Sequence, residues 1–369
     1  MSLVLNGTTG ITNLPSINSG QLGGRRNIVY NGEMKVAQRS TSVTGLGATS
    51  GYFTLDRWFM FLQATAGRLT MAQVADGPAG FANCMKLTTT TADTSIAAGE
   101  RLQLLQVFEG QDLQQLKKGT SGAEAVTVSF YVKANAAALY VCELLDSDGS
   151  RMNTQSFAVT TDWNRIELTF VGDTASAIVD DNTASLYLSI WLHGGSTFTG
   201  GTFASNTWAA STEANRYAVA NRTSIFDATS RTFFITGVQM ELGSKATEFE
   251  SRSFGEELAL CQRYCFVMAP STNASVAPAF ARSTTVAFGI AELPVTMRAT
   301  PSLAFSANND FQVQFLGSVA TSTAMAASPE LHKNMIAFTA TVSSGLTAGQ
   351  GMYIRDLNGG ATITAAAEL

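Results

Sequence analysis

The chain has 369 residues, and 23 Lys and Arg against 28 Asp and Glu leave a net charge of −5. Charged residues make up only 14%, against roughly 25% in an average soluble protein, with Gly, Ser, Thr, Asn and Ala in their place. An acidic, charge-poor chain lacks the clustered cations that displace counterions from nucleic acid. No stretch reaches the ~18 apolar residues of a membrane-spanning helix, so nucleic-acid binding and membrane insertion are not expected.

Residues 1–24 (MSLVLNGTTGITNLPSINSGQLGG) carry no charge and no aromatic ring. They cannot fold alone, because they have too little apolar surface to offset the loss of chain entropy. They are expected to be an arm that orders against a partner; a floppy terminus is the alternative. They lack the basic start of a secretory signal, so folding in a cytoplasm is expected.

From 25 to 253 the pattern is all-β. Val126, Val128, Phe130 and Val132 alternate with Thr127, Ser129, Tyr131 and Lys133. Ile166, Leu168 and Phe170 alternate with polar neighbours, and Leu186, Leu188, Ile190 and Leu192 alternate with Tyr187, Ser189, Trp191 and His193. A period of two gives each strand one core face. Further strands are predicted at 51–62, 68–75, 83–89, 101–108, 138–145, 154–160 and 231–242, with a helical turn at 109–118. Many short strands between turn residues predict a two-sheet sandwich.

A helix is predicted over 254–267. Ser253 and Glu256 have the spacing of a capping box. Phe254, Leu258, Cys261, Cys265 and Met268 would form a narrow apolar seam, either against the chain's own sandwich or against symmetry mates. Glu256 and Glu257 would lie off that seam. Strands return at 278–292, 296–305, 311–316, 334–342 and 351–356, and the closing ATITAAAEL can complete a sheet. The expected domains are therefore an arm at 1–24, a sandwich at 25–253, and a linking helix with a smaller β domain at 254–369.

Chemistry is sparse in the sequence. It contains no HExxH, no paired Cys motif, no GxSxG and no Gly-rich phosphate loop between strand and helix. His332, in PELHKN, reads as a solvated turn residue. The four cysteines, Cys84, Cys142, Cys261 and Cys265, read as buried thiols. No enzyme activity, cofactor or metal is expected. Glu33 and Glu241 could approach one another as calcium ligands, and Asp146 with Asp148 resembles a partial oxygen-ligand run; a solvated turn is the simpler reading of the latter. The best binding candidates are aromatic. Tyr187, Trp191 and His193 project opposite the core leucines, and the long loop 194–222 adds Trp208. Such rings beside amides and hydroxyls suit sugars; covering the sandwich edge or packing on a neighbouring subunit is the alternative.

Residues 27–39 (NIVYNGEMKVAQR) and 52–58 (YFTLDRW) resemble the opening of a domain in tailed-bacteriophage fibre proteins. Residues 235–265 (ITGVQMELGSKATEFESRSFGEELALCQRYC) resemble its close. PVTMRATPSL (294–303) and the AEL ending are similar to fibre tips, and MSLVLNGTTGIT to fibre starts that attach to a virion. The resemblance implies a carbohydrate-binding-module-like jelly roll in a homotrimeric tail fibre. The fibre would be anchored to other virion proteins through residues 1–24 and would bind a host-surface glycan. The alternatives are a head fibre, a decoration or connector protein without receptor binding, and a glycan-degrading fibre.

Overall fold

A computed structural model describes residues 25–369, so the expected arm at 1–24 lies outside the described residues. The described chain forms two compact units, 25–35 with 41–252, and 36–40 with 253–369.

The first unit contains β1 (Ser42–Leu46), β2 (Phe59–Gln63), β3 (Arg68–Val74), β4 (Cys84–Thr91), β5 (Arg101–Glu109), β6 (Val126–Ala134), β7 (Ala138–Asp146), β8 (Arg151–Val159), β9 (Asn164–Phe170), β10 (Ala184–Gly194), α1 (Ser196–Thr199), β11 (Ala209–Ala210) and β12 (Thr232–Leu242). They make two six-stranded antiparallel sheets, ordered β1-β3-β4-β12-β6-β9 and β11-β8-β7-β10-β5-β2. This is the expected jelly-roll sandwich. Neighbours in each sheet are mostly distant in sequence, which is why turns alone could not reveal the order. The alternating apolar residues meet between the layers. Leu186, Leu188, Ile190 and Leu192 of β10 are buried, as are Val128, Phe130 and Val132 of β6. Rings cross the gap, with Phe130 edge-on to Phe157 at 5.0 Å and Tyr140 edge-on to Phe233 at 5.5 Å. Each buried large side chain is worth about 1.5–3 kcal/mol relative to exposure. The turn expected at 109–118 is a pair of 3-10 turns, Gly110–Asp112 and Gln114–Leu116.

The segments that carry the fibre resemblance close this sandwich. Asn27 donates from Nδ2 to the Val238 carbonyl, and its Oδ1 accepts from the Val29 and Met240 amides. Arg252 donates to the Asn27 and Val29 carbonyls. Trp58 donates its indole N–H to the Asn31 carbonyl. The opening and closing blocks are thus one interlocked structural element.

The second unit contains α2 (Phe254–Gln262), β13 (Cys265–Met268), β14 (Ser275–Ala281), β15 (Val286–Glu292), β16 (Ser302–Phe305), β17 (Phe311–Phe315), β18 (Ser318–Thr321), β19 (Ala324–Ala327), β20 (Met335–Thr341), β21 (Gly351–Asp356) and β22 (Ile363–Ala366). One sheet runs β13-β22-β16, and the other runs β18-β17-β21-β14-β15-β20-β19. The closing residues do complete a sheet, since β22 lies between β13 and β16. Segment 36–40 belongs here through Gln38, which donates to the Cys265 carbonyl, and Arg39, which pairs with Glu368 at 2.9 Å.

The helix starts as expected and ends early. The Ser253–Glu256 capping box is formed. The chain leaves the helix after Gln262, because residues 265–268 are taken up as a strand against Ile363–Ala366. Cys265 and Met268 therefore lie outside the helix, and Phe254 is exposed. The expected continuous helical seam does not form, and Glu257, placed off the seam by the sequence pattern, is buried.

Candidate functional site

The structure disperses the four predicted aromatic-platform residues. Tyr187 and Trp191 do point away from the leucine face of β10, but Trp191 and His193 are fully buried. Loop 195–226 folds over their end of the sheet. Trp191 stacks on Tyr217 at 5.8 Å with planes 16° apart, and Phe198 lies 5.4 Å away. Its indole N–H donates to Glu143 Oε2 at 3.0 Å, and the Arg216 guanidinium sits 5.0 Å from its ring centre. Neither Trp191 nor His193 offers a face to a ligand, which corrects the expectation for both. Tyr187 is half-buried, with its phenol raised above its ordinary range by burial and the nearby Asp148. Trp208 is also half-buried. It donates to the Val171 carbonyl at 2.7 Å, and the Lys118 ammonium lies 4.9 Å from its ring.

The same loop creates a different feature. A cleft of about 450 Å³ opens at the end of β10, lined by Ile96, Gly194 to Ser196, Thr199, Tyr217 and Asn221 to Ser224. A volume of this order suits a small ligand or part of an oligosaccharide. The wall from 221 to 224 is held at Thr223. Thr223 donates its amide to the Leu139 carbonyl at 2.9 Å and accepts the Leu139 amide on Oγ1 at 3.0 Å. Tyr217 hydroxyl donates to the Thr223 carbonyl at 2.6 Å. Asn221 takes a left-handed conformation, φ 59°, which asparagine tolerates better than most residues. Asn221 and Arg222 are exposed, so hydroxyls, an amide and one guanidinium face the space. This arrangement can bind a polyhydroxylated ligand by hydrogen bonds.

Beneath the cleft, Asp93, Glu100 and His193 converge, with one potential ligand atom from each within 4.8 Å of the others. All three are buried. His193 Nε2 is 3.1 Å from Glu100 Oε2, and its Nδ1 is 2.8 Å from Ser224 Oγ, on the cleft wall. Asp93 accepts the Ala66 amide on Oδ2 and the Ser95 amide on Oδ1. Burial, then the adjacent Asp93, raises the Glu100 carboxyl. Burial pushes the His193 imidazole down to about 4. Backbone bonds fix the frame: Asp93 N–H to Phe226 O, Gly195 N–H to Glu100 O, and Ile225 N–H to Leu192 O.

The other acidic candidates are taken by protein donors. Glu33 is bound by Lys35 and by the Ser251 hydroxyl. Glu241 accepts from Gln239 and from the Thr247 amide and hydroxyl. Asp146 is not a solvated turn residue: it is fully buried and pairs with Lys118. Lys118 also holds Asp173 at 2.8 Å, and Arg151 binds Asp173 at 2.7 Å. His332 is exposed in its turn, and all four cysteines are buried thiols. Sequence reasoning passed over Ile96, Asn221 to Ser224, Asp93 and Glu100. The one local signal was the turn-forming run at 221–224, which overlaps only the end of the stretch 194–222 singled out for its aromatics.

No protein-family model matches the chain, and no curated protein matches it in sequence. Solved structures do match. One is a family 4 carbohydrate-binding module, 16% identical, covering 57% of this chain and 97% of its own, at a TM-score of 0.30. Another is the CBM22-1 xylan-binding domain of Paenibacillus barcinonensis Xyn10C, 13% identical, covering 61% of this chain and 100% of its own, at 0.28. A third is the enzymatically active domain of tailspike protein 4 from bacteriophage CBA120, 12% identical, covering 58% of this chain but 21% of its own, at 0.29. At such identities these proteins are similar to this chain in fold alone.

Proposed function

We propose that this chain is a non-enzymatic fibre protein of a tailed-bacteriophage virion that binds a host-surface glycan. The observation that carries the glycan reading is the solvent-open cleft of about 450 Å³, walled by Ser196, Thr199, Asn221, Arg222 and Thr223. Hydroxyls and amides replace the water around sugar hydroxyls, and the single cation Arg222 among the lining residues favours acidic sugars. The fibre reading rests on residues 27–39, 52–58 and 235–265. In the same reading, residues 1–24 attach to other tail or head proteins, and the assembly is a homotrimer. An assembly of copies is supported by exposed apolar residues in the second unit, Phe254, Phe280, Ile290, Val319 and Tyr353.

A glycan array probed with the full chain tests this. Retention of one glycan class is expected, with at least a tenfold loss for Asn221→Ala and Arg222→Ala at unchanged circular dichroism. A wild type that binds nothing on the array favours the decoration or connector role. Release of reducing ends from host polysaccharide establishes the degrading alternative instead.

A further inference from the structure

We propose that Asp93, Glu100 and His193 bind a divalent transition cation of the zinc class beneath the cleft. The residues come from three places in the chain: the segment after β4, the residue before β5, and the end of β10. Two features make this more than a group of acids. The first is electrostatic. Two buried carboxylates share the space with an imidazole, and among the described residues neither pairs with a lysine or arginine. Buried charge of one sign must be neutralised, by a proton held between the carboxylates or by a cation.

The second feature is the donor set and its orientation. One imidazole nitrogen with two carboxylates suits zinc and its first-row neighbours; calcium and magnesium take all-oxygen sets. Tetrahedral ligands at about 2.1 Å from zinc stand about 3.4 Å apart. His193 Nε2 and Glu100 Oε2, at 3.1 Å, are already near that spacing. His193 can donate from Nδ1 to Ser224 Oγ, which leaves the Nε2 lone pair directed at the carboxylates. The ring is fixed on its other side by Phe226, edge-on at 5.2 Å. Asp93 is oriented by the two backbone amides that it accepts. On binding, the cation takes the place of the proton on the carboxylate pair, which leaves to solvent. Ser224 lies on the cleft wall and Gly194 follows His193, so the ion would also brace the wall that the proposed glycan meets. The metal proposal does not depend on the glycan reading.

The test uses the full chain after dialysis against chelator. Titration calorimetry with Zn²⁺ should give one site per chain, and added Zn²⁺ should raise the melting temperature. Asp93→Asn and Glu100→Gln keep the side-chain shape and should weaken Zn²⁺ binding at least ~100-fold, and Ser224→Ala about 10–100-fold. Co²⁺ in the wild type should give visible absorption bands and a paramagnetically shifted imidazole proton assigned to His193. This last measurement needs no variant, so it holds if the substitutions prevent folding. A folded wild type that takes up no stoichiometric Zn²⁺ overturns the proposal, as does wild-type affinity in both carboxylate variants. A shared proton then neutralises the pair.

Discussion

Arg216 grips Glu143 with two prongs, Nε to Oε1 at 2.9 Å and Nη2 to Oε2 at 2.7 Å, under the ring of Trp191. Glu143 is fully buried on β7 and Arg216 nearly so. Burial would lower the arginine's pKa, but the Glu143 charge and its hydrogen bonds outweigh this and hold the guanidinium charged. The pair bolts loop 195–226 to the outer face of the sheet. Removing one partner strands a buried charge, which costs about 3–5 kcal/mol. Arg216→Met and Glu143→Gln should each lower the free energy of urea unfolding by that order. Combining them should cost clearly less than the sum, and additive losses would argue against the coupling.

Trp191→Ala removes the ring between this ion pair and Tyr217. The cavity should cost about 3–5 kcal/mol, seen as a lowered melting temperature. Any loss of glycan binding should follow the loss of structure. Trp191→Phe should recover most of the stability, since a ring remains against Tyr217. A Trp191→Ala protein with wild-type stability and selectively lost binding would restore Trp191 as a contact residue.

Gly32 lies against the closing strand of the sandwich. A Cβ there would stand 2.1 Å from the Val238 carbonyl oxygen, within backbone that cannot swing away. Gly32→Ala should therefore destabilise by about 1–3 kcal/mol or more, as overpacking does. At Gly80 the added carbon meets open space and only the left-handed φ of 93° is strained, a cost of about 1–2 kcal/mol. Parallel denaturation curves compare the two, and equal stability of Gly32→Ala with the wild type would refute the close approach.

Asp173 links acid stability to the Lys118 network. Burial would raise its carboxyl, but hydrogen bonds from Arg151, Lys118 and the Ala175 amide prevail and hold it below the usual range. The folded state therefore binds this proton less readily than the unfolded chain. Its contribution is fully present above the ordinary carboxylate value near pH ~4 and is lost as pH falls through the lower folded value. Asp173→Asn should be less stable than the wild type at neutral pH, and the gap should narrow in acid. Urea midpoints across pH 2–7 give the comparison, and a gap that is constant with pH sinks the idea.

The outer face of the seven-stranded sheet offers a test of assembly. Phe280 is 44% exposed, Ile290 37% and Tyr353 36%. If three copies share this face, Phe280→Glu with Tyr353→Glu should convert a trimer to monomers in light scattering without unfolding them. A monomeric wild type would remove the trimer from the proposed function.

Local pattern determined a great deal. Alternation in 126–133 and 185–193 identified strands and the side that meets the core, because the two faces of a strand differ by one residue. Ser253 and Glu256 marked where α2 begins, because a capping box is made within four residues. Other features depend on partners far along the chain. The helix stops at Gln262 because residues 265–268 pair with 363–366, about a hundred residues away. Trp191 was placed on the correct side of β10, but a strand's period reports neither the register shift between Trp191 and His193, which pairs His193 with Leu102, nor that loop 195–226 folds over the Trp191 side. The Arg216–Glu143 pair, 73 residues apart, pins the loop there. The cleft wall at 221–224 and the meeting of Asp93, Glu100 and His193 arise from that same closure. Only the tertiary structure could decide them, since chemistry-bearing residues become neighbours through strand order, and strand order leaves no periodic mark on the chain.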